Sequence, residues 1–234
     1  MRVRSKLSSK EPNSIFRSTI AIALVFICVY AANWQYERGV VRHAKNFKIE
    51  SNTQLPKIAL SEIRDLAQNE WRTVTVTGEF DRTHEVLLRN RYSETGVYGF
   101  EYLTLFKSNE DQFQQFWVDR GWIKAGERAT DRPDLPATPD GEITLTGRLR
   151  LNTSLPRGSF FALPANSGPV TSWNLKSKVQ TEEFYLDLIE GEGVTPAVPA
   201  ELPELSDGPH MAYALQWLFF AGLVIYGRLL IRKR

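Results

Sequence analysis

His210 opens the apolar stretch "HMAYALQWLFFAGLVIYG" (210–227), and on a helical period it shares a face with Tyr213, Ala214 and Trp217. A second polar group sits at the far end of another apolar stretch, "STIAIALVFICVYAANWQYERGVVRHAKNF" (18–47), where Trp34, Arg38, Val41, Arg42 and Lys45 share a helix face. One neutral imidazole, three aromatic rings and two guanidinium groups suit an amphipathic, iron-bearing ligand. Haem has an apolar macrocycle for Trp34, Tyr213 and Trp217, a vacant axial position on its metal for His210, and two propionates for Arg38 and Arg42. The competing reading is an interfacial belt, in which Trp and Tyr settle at headgroup depth in any membrane protein. It accounts for Trp34, Tyr213 and Trp217 but not for His210 or Gln216, whose polar groups need partners near lipid.

Elsewhere the chain offers little for catalysis. His84, in "FDRTHEVLL", has no nucleophile motif beside it and reads as a turn or surface residue. The acidic residues are scattered, and no P-loop, dinucleotide fingerprint or zinc spacing occurs. Cys28 lies inside the first apolar stretch and is the only cysteine, which excludes a disulfide, a CxxxC copper carrier and a CxxCH haem attachment. Arg91 in "LLRNRY" and Arg120 in "VDRGWIK" sit in strand-like apolar contexts. They read as structural: Arg120 or Arg91 pairs with Asp119 or another carboxylate at a barrel rim, with Gly121 permitting a bulge or a close approach.

The elements that must position these residues are two membrane spans and a domain between them. Ser18 to Tyr36 is 19 residues without a charge and Met211 to Gly227 is 17, with Leu229 to Ile231 continuing beyond Arg228. Each can cross about 30 Å of hydrocarbon, the second with Arg228 snorkelling to the surface. Val29-Tyr30-Ala31 would pass as a signal cleavage site, but the C-terminal stretch cannot be a signal, and two anchors make the charges consistent. Arg2, Arg4, Lys6, Lys10 and Arg17 precede the first span; Arg228, Arg232, Lys233 and Arg234 follow the second, so both termini are expected in the cytoplasm. A short leader containing Glu11 favours a bacterial inner membrane, with the central domain periplasmic. The expected organisation is a basic tail (1–17), span (18–36), outer domain (37–209), span (210–227) and basic tail (228–234).

The charge balance follows this division. Setting aside those nine basic residues and Glu11 reduces the chain's 29 Lys/Arg and 27 Asp/Glu to 20 and 26, a balance of −6. The basic character belongs to the tails, and no nucleic acid partner is implied.

The outer loop of about 175 residues can bury a core of its own. After Tyr36 the helix is expected to run on for a few turns, and "LSEIRDLAQN" (60–69) reads as a short amphipathic helix. Then the period changes. Strands are predicted at 71–80, 85–91, 97–106, 113–124, 142–151 and 184–189, separated by turn signals such as Glu94-Thr95-Gly96 and Pro139-Asp140-Gly141. The Pro-rich runs 132–139 and 196–209 are connectors. Consecutive strands with short connections imply a mainly antiparallel small barrel or sandwich with one or two short helices.

The motifs "WQYERGVVR", "VTGEFDRTHE", "RNR", "VDRGWIK" and "HMAYALQW", in this order and between two spans, resemble the Surfeit locus protein 1 family. The resemblance covers the chain from Trp34 to Trp217, with Arg42 where many members have Lys and Pro209 where many have a polar residue. It implies a non-enzymatic membrane chaperone for the haem–copper cytochrome c oxidases. Such a protein helps to place haem a in the oxidase catalytic subunit, with haem a synthase a further expected partner. His210 then takes the position of the family's proposed haem contact. The polar starts of the two spans would form one shared site, for a cofactor or for a helix of the oxidase subunit.

Overall fold

The computed structural model describes residues 13–93, 95–126, 133–152 and 168–233; the expectations placed on residues 1–12, Glu94, Arg132 and Arg234 lie outside them. The chain divides into two compact units, Ile49–Pro203 and the pair of segments that flank it, Met1–Lys48 and Glu204–Arg234.

The flanking segments carry the two helices expected from composition. Helix α1, Ser14–Gln54, has 41 residues and is about 60 Å long at 1.5 Å per residue. The expected span and its extension are one unbroken helix, seven residues longer than the predicted stop at Phe47. Helix α3, His210–Lys233, has 24 residues. Both are long and apolar enough to cross a membrane. Up to Lys48 of α1 and throughout α3, large apolar side chains, Phe26, Tyr30 and Phe219 among them, face outward, and the buried positions are small: Cys28, Ala32 and Gly39 on α1, Ala214 and Ala221 on α3. Small residues let helix backbones approach where no hydrophobic effect drives association. A Cβ on Gly39 would stand 3.2 Å from the sulfur of Met211. At the other end of the pair, Arg228 donates to Ser18 Oγ at 3.1 Å and to the Ser14 carbonyl at 2.9 Å, so the one charge inside the α3 run is held by α1.

Ile49–Pro203 is a closed five-stranded barrel. Strand β1 (Ile58–Ala59) runs parallel to β2 (Thr73–Tyr92) at its edge; β3 (Tyr98–Ser108), β4 (Gln115–Lys124), β5 (Ile143–Leu151) and β6 (Phe184–Gly191) follow. The order is β2-β3-β4-β6-β5, and β5 pairs back onto β2 to close the ring. All ring pairings are antiparallel except β4 with β6. Alternation sorts the residues. Val74, Val76, Phe80, Phe106, Phe116, Val118, Leu145, Leu149, Phe184 and Leu186 fill one core. Leu103, Leu105, Trp117 and Tyr185 point the other way and are covered by helix α2 (Pro169–Ser177) through Val170 and Trp173.

Two expectations are corrected, and the expected carboxylate pairing is made by Arg91, with Glu101, and not by Arg120. The segments 71–80 and 85–91 are one strand, β2, whose register with β3 shifts between Asp81 and Glu85; the polar run between them is an irregularity within the strand. Residues 60–69 do not form a helix beyond the 3-10 turn Leu60–Glu62. Asp65 captures the Gln68 amide with its side chain, and Asn52 donates to the carbonyls of Gln68 and Glu70, so local side chains outcompete helical bonds. Arg120 is not paired with a carboxylate. It is 1% exposed, donates to Tyr102 Oη, Thr138 Oγ1 and the Ala137 carbonyl, and lies over the rings of Phe80 and Tyr102. It therefore ties the connector 133–140 to the barrel.

Gly121 behaves as its sequence context suggested. Tyr102 of β3 faces both Arg120 and Gly121, a bulge, and Gly121 sits at φ +93°. A Cβ there would stand 2.2 Å from the Val198 carbonyl oxygen. This approach lets the Trp122 amide donate to Val198 and the Ala197 amide to Arg120. Gly141 also has positive φ but nothing within 4 Å. Alanine at 141 is expected to cost about 1 kcal/mol and alanine at 121 about 3 kcal/mol, because collision adds to the left-handed penalty. Denaturation followed by tryptophan fluorescence measures both, and equal losses would show that the 196–198 segment yields freely.

Candidate cofactor site

His210 is the first residue of α3, whose first helical bond runs from the Tyr213 amide to the Pro209 carbonyl. Proline suits such a start because its missing N–H has no helical partner in any case. The chain before it is pinned to α1 by a ladder of side chains at helical spacing. Arg42 Nε donates to the Ser206 carbonyl at 2.6 Å; His43 Nδ1 and Asn46 Nδ2 meet the Asp207 carboxylate at 2.7 and 2.9 Å. These hydrogen bonds, His43 and Asn46 foremost, hold the Asp207 carboxyl below the usual carboxylate range. The carboxylate is thus spent on α1.

Two turns earlier on α1, Gln35 Oε1 accepts from His210 Nδ1 at 2.9 Å. With the proton on Nδ1, the lone pair is on Nε2 and the ring is oriented, which is how a metal-binding imidazole is ordinarily prepared. Gly208, at φ +67°, keeps the neighbourhood of Nε2 open: a Cβ there would stand 3.9 Å from Nε2 and 4.0 Å from Arg42 Cζ. Arg42 meets Ser206 through Nε, one of the donors of its guanidinium.

Of the six residues marked in the sequence, the structure brings His210 and Arg42 together. Trp34 and Arg38 stack on each other, with the guanidinium 4.5 Å from the ring centroid, on the strip of α1 next to the Gln35 ladder. Trp217 is half-buried and meets Phe220 edge to face; Tyr213 is exposed. The sequence reading gave no role to Gln35, His43, Asn46 and Gly208. Their signal was the spacing 35, 39, 42–43, 46, a single helix stripe that switches from polar to small and back.

The donor set fits a metal that brings most of its own ligands. Among the described residues no group of three or more His, Cys, Asp or Glu could hold a bare ion. One prepared imidazole, adjacent guanidinium groups and exposed aromatic rings match a metalloporphyrin with acidic side arms. The same ladder and rings lie within the match of the SURF1 family model, which spans residues 22–222.

The chain belongs to the SURF1 family.

Its relatives include an uncharacterised SURF1-like protein of Mycobacterium bovis and those of two strains of Mycobacterium tuberculosis, each 26% identical over 231 residues, covering 93% of this chain and 82% of the relative.

The barrel of this family member carries two further polar constellations. At the β2 irregularity, His84 Nδ1 meets both Asp81 Oδ2 at 3.1 Å and Thr83 Oγ1 at 3.0 Å. Carboxylate and hydroxyl share one ring nitrogen, so no relay through the imidazole exists. Burial raises the Asp81 carboxyl, but hydrogen bonds from Thr83, Lys107 and His84 outweigh it and hold the group well below the usual range. It is a structural knot, as expected of His84.

The second is a charged belt across β2, β3, β4, β6 and β5. Arg91 pairs with Glu101 at 2.9 Å, and Arg150 with Asp187 at 2.6 Å, while Asp119 stands between Glu101 and Asp187. Burial pushes the Asp119 carboxyl well up, its acidic neighbours Glu101 and Asp187 add to this, and the Gly121 amide and Arg91 offset only part. A carboxyl raised in the folded state contributes stability below its unfolded value near 4, and that contribution is lost as pH climbs through the folded value. Asp119→Asn is therefore expected to match the parent at pH 4 and to exceed it increasingly toward neutral pH. Urea midpoints at pH 4 and pH 7 measure this, and a variant less stable at pH 7 would show an ionised, well-paired Asp119.

Proposed function

We propose that this chain is a non-enzymatic, membrane-anchored assembly factor for a haem–copper cytochrome c oxidase, and that it assists haem a on its way into the catalytic subunit. The observation that carries the reading is the His210–Gln35 bond, which leaves Nε2 unprotonated beside Gly208 and Arg42. When bound, haem a would supply an iron with an open axial position. His210 would hold that iron, Arg42 and Arg38 would take the propionates, and Trp34, Tyr213 and Trp217 would cover the macrocycle. Gln35 keeps the imidazole in the ligating tautomer. The reading places both termini in the cytoplasm of a bacterium, the barrel on the periplasmic side of the inner membrane, and the oxidase catalytic subunit and haem a synthase as partners. The tails, the family and the absence of a relay at His84 support a carrier and not a catalyst.

A second reading is favoured by the ladder itself. Arg42, His43 and Asn46 all spend hydrogen bonds on residues 206 and 207, so the site could serve only to brace α3 for docking of the oxidase subunit.

Three variants separate these readings. On purified protein in detergent, His210→Ala is expected to abolish axial haem a binding, and Gln35→Leu to weaken it on the order of tenfold or more, as removal of an orienting partner does, while Gln35→Glu retains it. In cells, His210→Ala lowers the haem a band of the oxidase at unchanged abundance of this protein. A normal haem a band in His210→Ala membranes would leave the bracing role and remove the haem contact.

A further inference from the structure

The barrel unit has an open pocket of about 480 Å³, within the range of ligand-binding clefts, lined among others by Arg91, Tyr92, Glu101, Asp119, Trp122 and Val198. Its floor is the charged belt. Two of the belt's three carboxylates have cations of their own: Glu101 is bonded to Arg91 and Asp187 to Arg150. Asp119 has none. It is only 7% exposed, yet it lines the pocket, and its one hydrogen bond comes from the Gly121 amide to Oδ1, so its second oxygen meets no protein donor among the described residues. A carboxyl buried this deeply is ordinarily paired. Here the fold builds every other belt group a partner and leaves this one facing the opening.

The walls decide what would complete it. Trp122 is held by packing over Gly99, where a Cβ would fall 2.4 Å from the indole, and by its Nε1 bond to the Arg91 carbonyl. Tyr92, 64% exposed, and Val198, 42% exposed, form an apolar rim at the mouth. An acceptor at the bottom, aromatic surface on the side and an apolar rim suit a flat cation that can hydrogen-bond a carboxylate and lie along a ring, which describes guanidinium better than ammonium. The rim would cover the aliphatic stem and neighbouring backbone of such a group, as Arg and Tyr anchors do at protein interfaces. The charge agrees, since the chain outside its basic tails carries a balance of −6, 20 basic residues against 26 acidic.

We propose that this pocket is a docking site for an arginine side chain of a partner polypeptide, with Asp119 as its counter-ion. The proposal rests on the barrel alone and stands or falls separately from the haem reading. The groups that face Asp119 are Glu101, Asp187 and Arg91, with Arg148 and Arg150 beyond Asp187. Insertion of a cation among them favours the carboxylate form of Asp119, so guanidinium binding is coupled to loss of its proton.

The test uses the full chain in detergent micelles with its tryptophans labelled at the indole nitrogen, the Trp122 resonance being identified by its loss in Trp122→Phe. The probe is acetyl-Gly-Arg-Gly-amide, compared with the citrulline and lysine peptides and with free arginine. The expected result is a saturable Trp122 shift with the arginine peptide and affinity on the order of tenfold lower for the neutral citrulline peptide and for Asp119→Asn, the scale of one charge-assisted pair. Calorimetry in two buffers of different ionisation enthalpy should show release of about one proton by the parent and none by Asp119→Asn. Asp119→Asn keeps an acceptor for the Gly121 amide, so loss of binding in it reports the counter-ion and not a lost fold. Equal binding of the citrulline peptide, undiminished binding by Asp119→Asn, or no saturable shift would overturn the proposal. Tighter binding of free arginine than of the peptide would overturn the polypeptide partner and make this a solute site.

Discussion

Closure of a five-stranded ring is the constraint on which the barrel unit depends. Strand β2 must reach β5 with one part of its length and β3 with nearly all of it, which is why it has 20 residues and why its register shifts twice. A shorter or straighter strand would leave an open sheet with two edges. The Asp81–Thr83–His84 knot lies where that strand bends. It satisfies the polar groups that the lost register leaves over, so residues with the look of a catalytic trio are a product of closure.

Closure also determines where charge can go. The ring's interior takes aromatic and branched side chains, and the one cation packed against that core, Arg120, is met by a hydroxyl, a phenol, a carbonyl and two ring faces. Charges of the opposite parity fall on the outer belt, where α2 and the 196–201 segment bury most of them. A belt of this kind costs desolvation at every member and is retained cheaply only if each is paired. Asp119 is the exception, and it borders the one bulge at which Gly121 lets the connector approach. An unpaired buried carboxyl beside an opening is the observation on which the docking proposal rests.

The sequence carried the strands well because their alternation is a property of a closed sheet with a wet outside and a dry inside. It misled where side chains make local bonds. Asp81 to His84 looked like a turn because turn residues and bulge residues are the same residues, and Leu60 to Asn69 kept a helical apolar spacing while Asp65 and Asn52 supplied non-helical bonds. Helix α2 was not anticipated: nine residues with two buried anchors give too little period to detect. Of the candidate site, His210, Arg38, Arg42 and the aromatic rings were legible by type, and the His210–Arg42 pairing by depth. The partners that orient them were not, since Gln35, His43 and Asn46 gain meaning only when α1 is known to run unbroken to Gln54 along the 206–210 segment.

The ladder assigns its two histidines different partners, and the difference is chemical. His43 meets a carboxylate, which binds either form of the ring and prefers the charged one; His210 meets an uncharged amide oxygen, which fixes direction and tautomer without rewarding a second proton. An imidazole intended only as a brace would be served better by the first arrangement, and Asp207 is three residues away to provide it. That the carboxylate is instead taken by His43 and Asn46, while His210 is held by Gln35 with Gly208 beside its other nitrogen, separates bracing from ligation within one helix stripe. The brace then sets the position of α3's first residue, and the proposed haem contact would use the ring nitrogen that Gln35 does not bond.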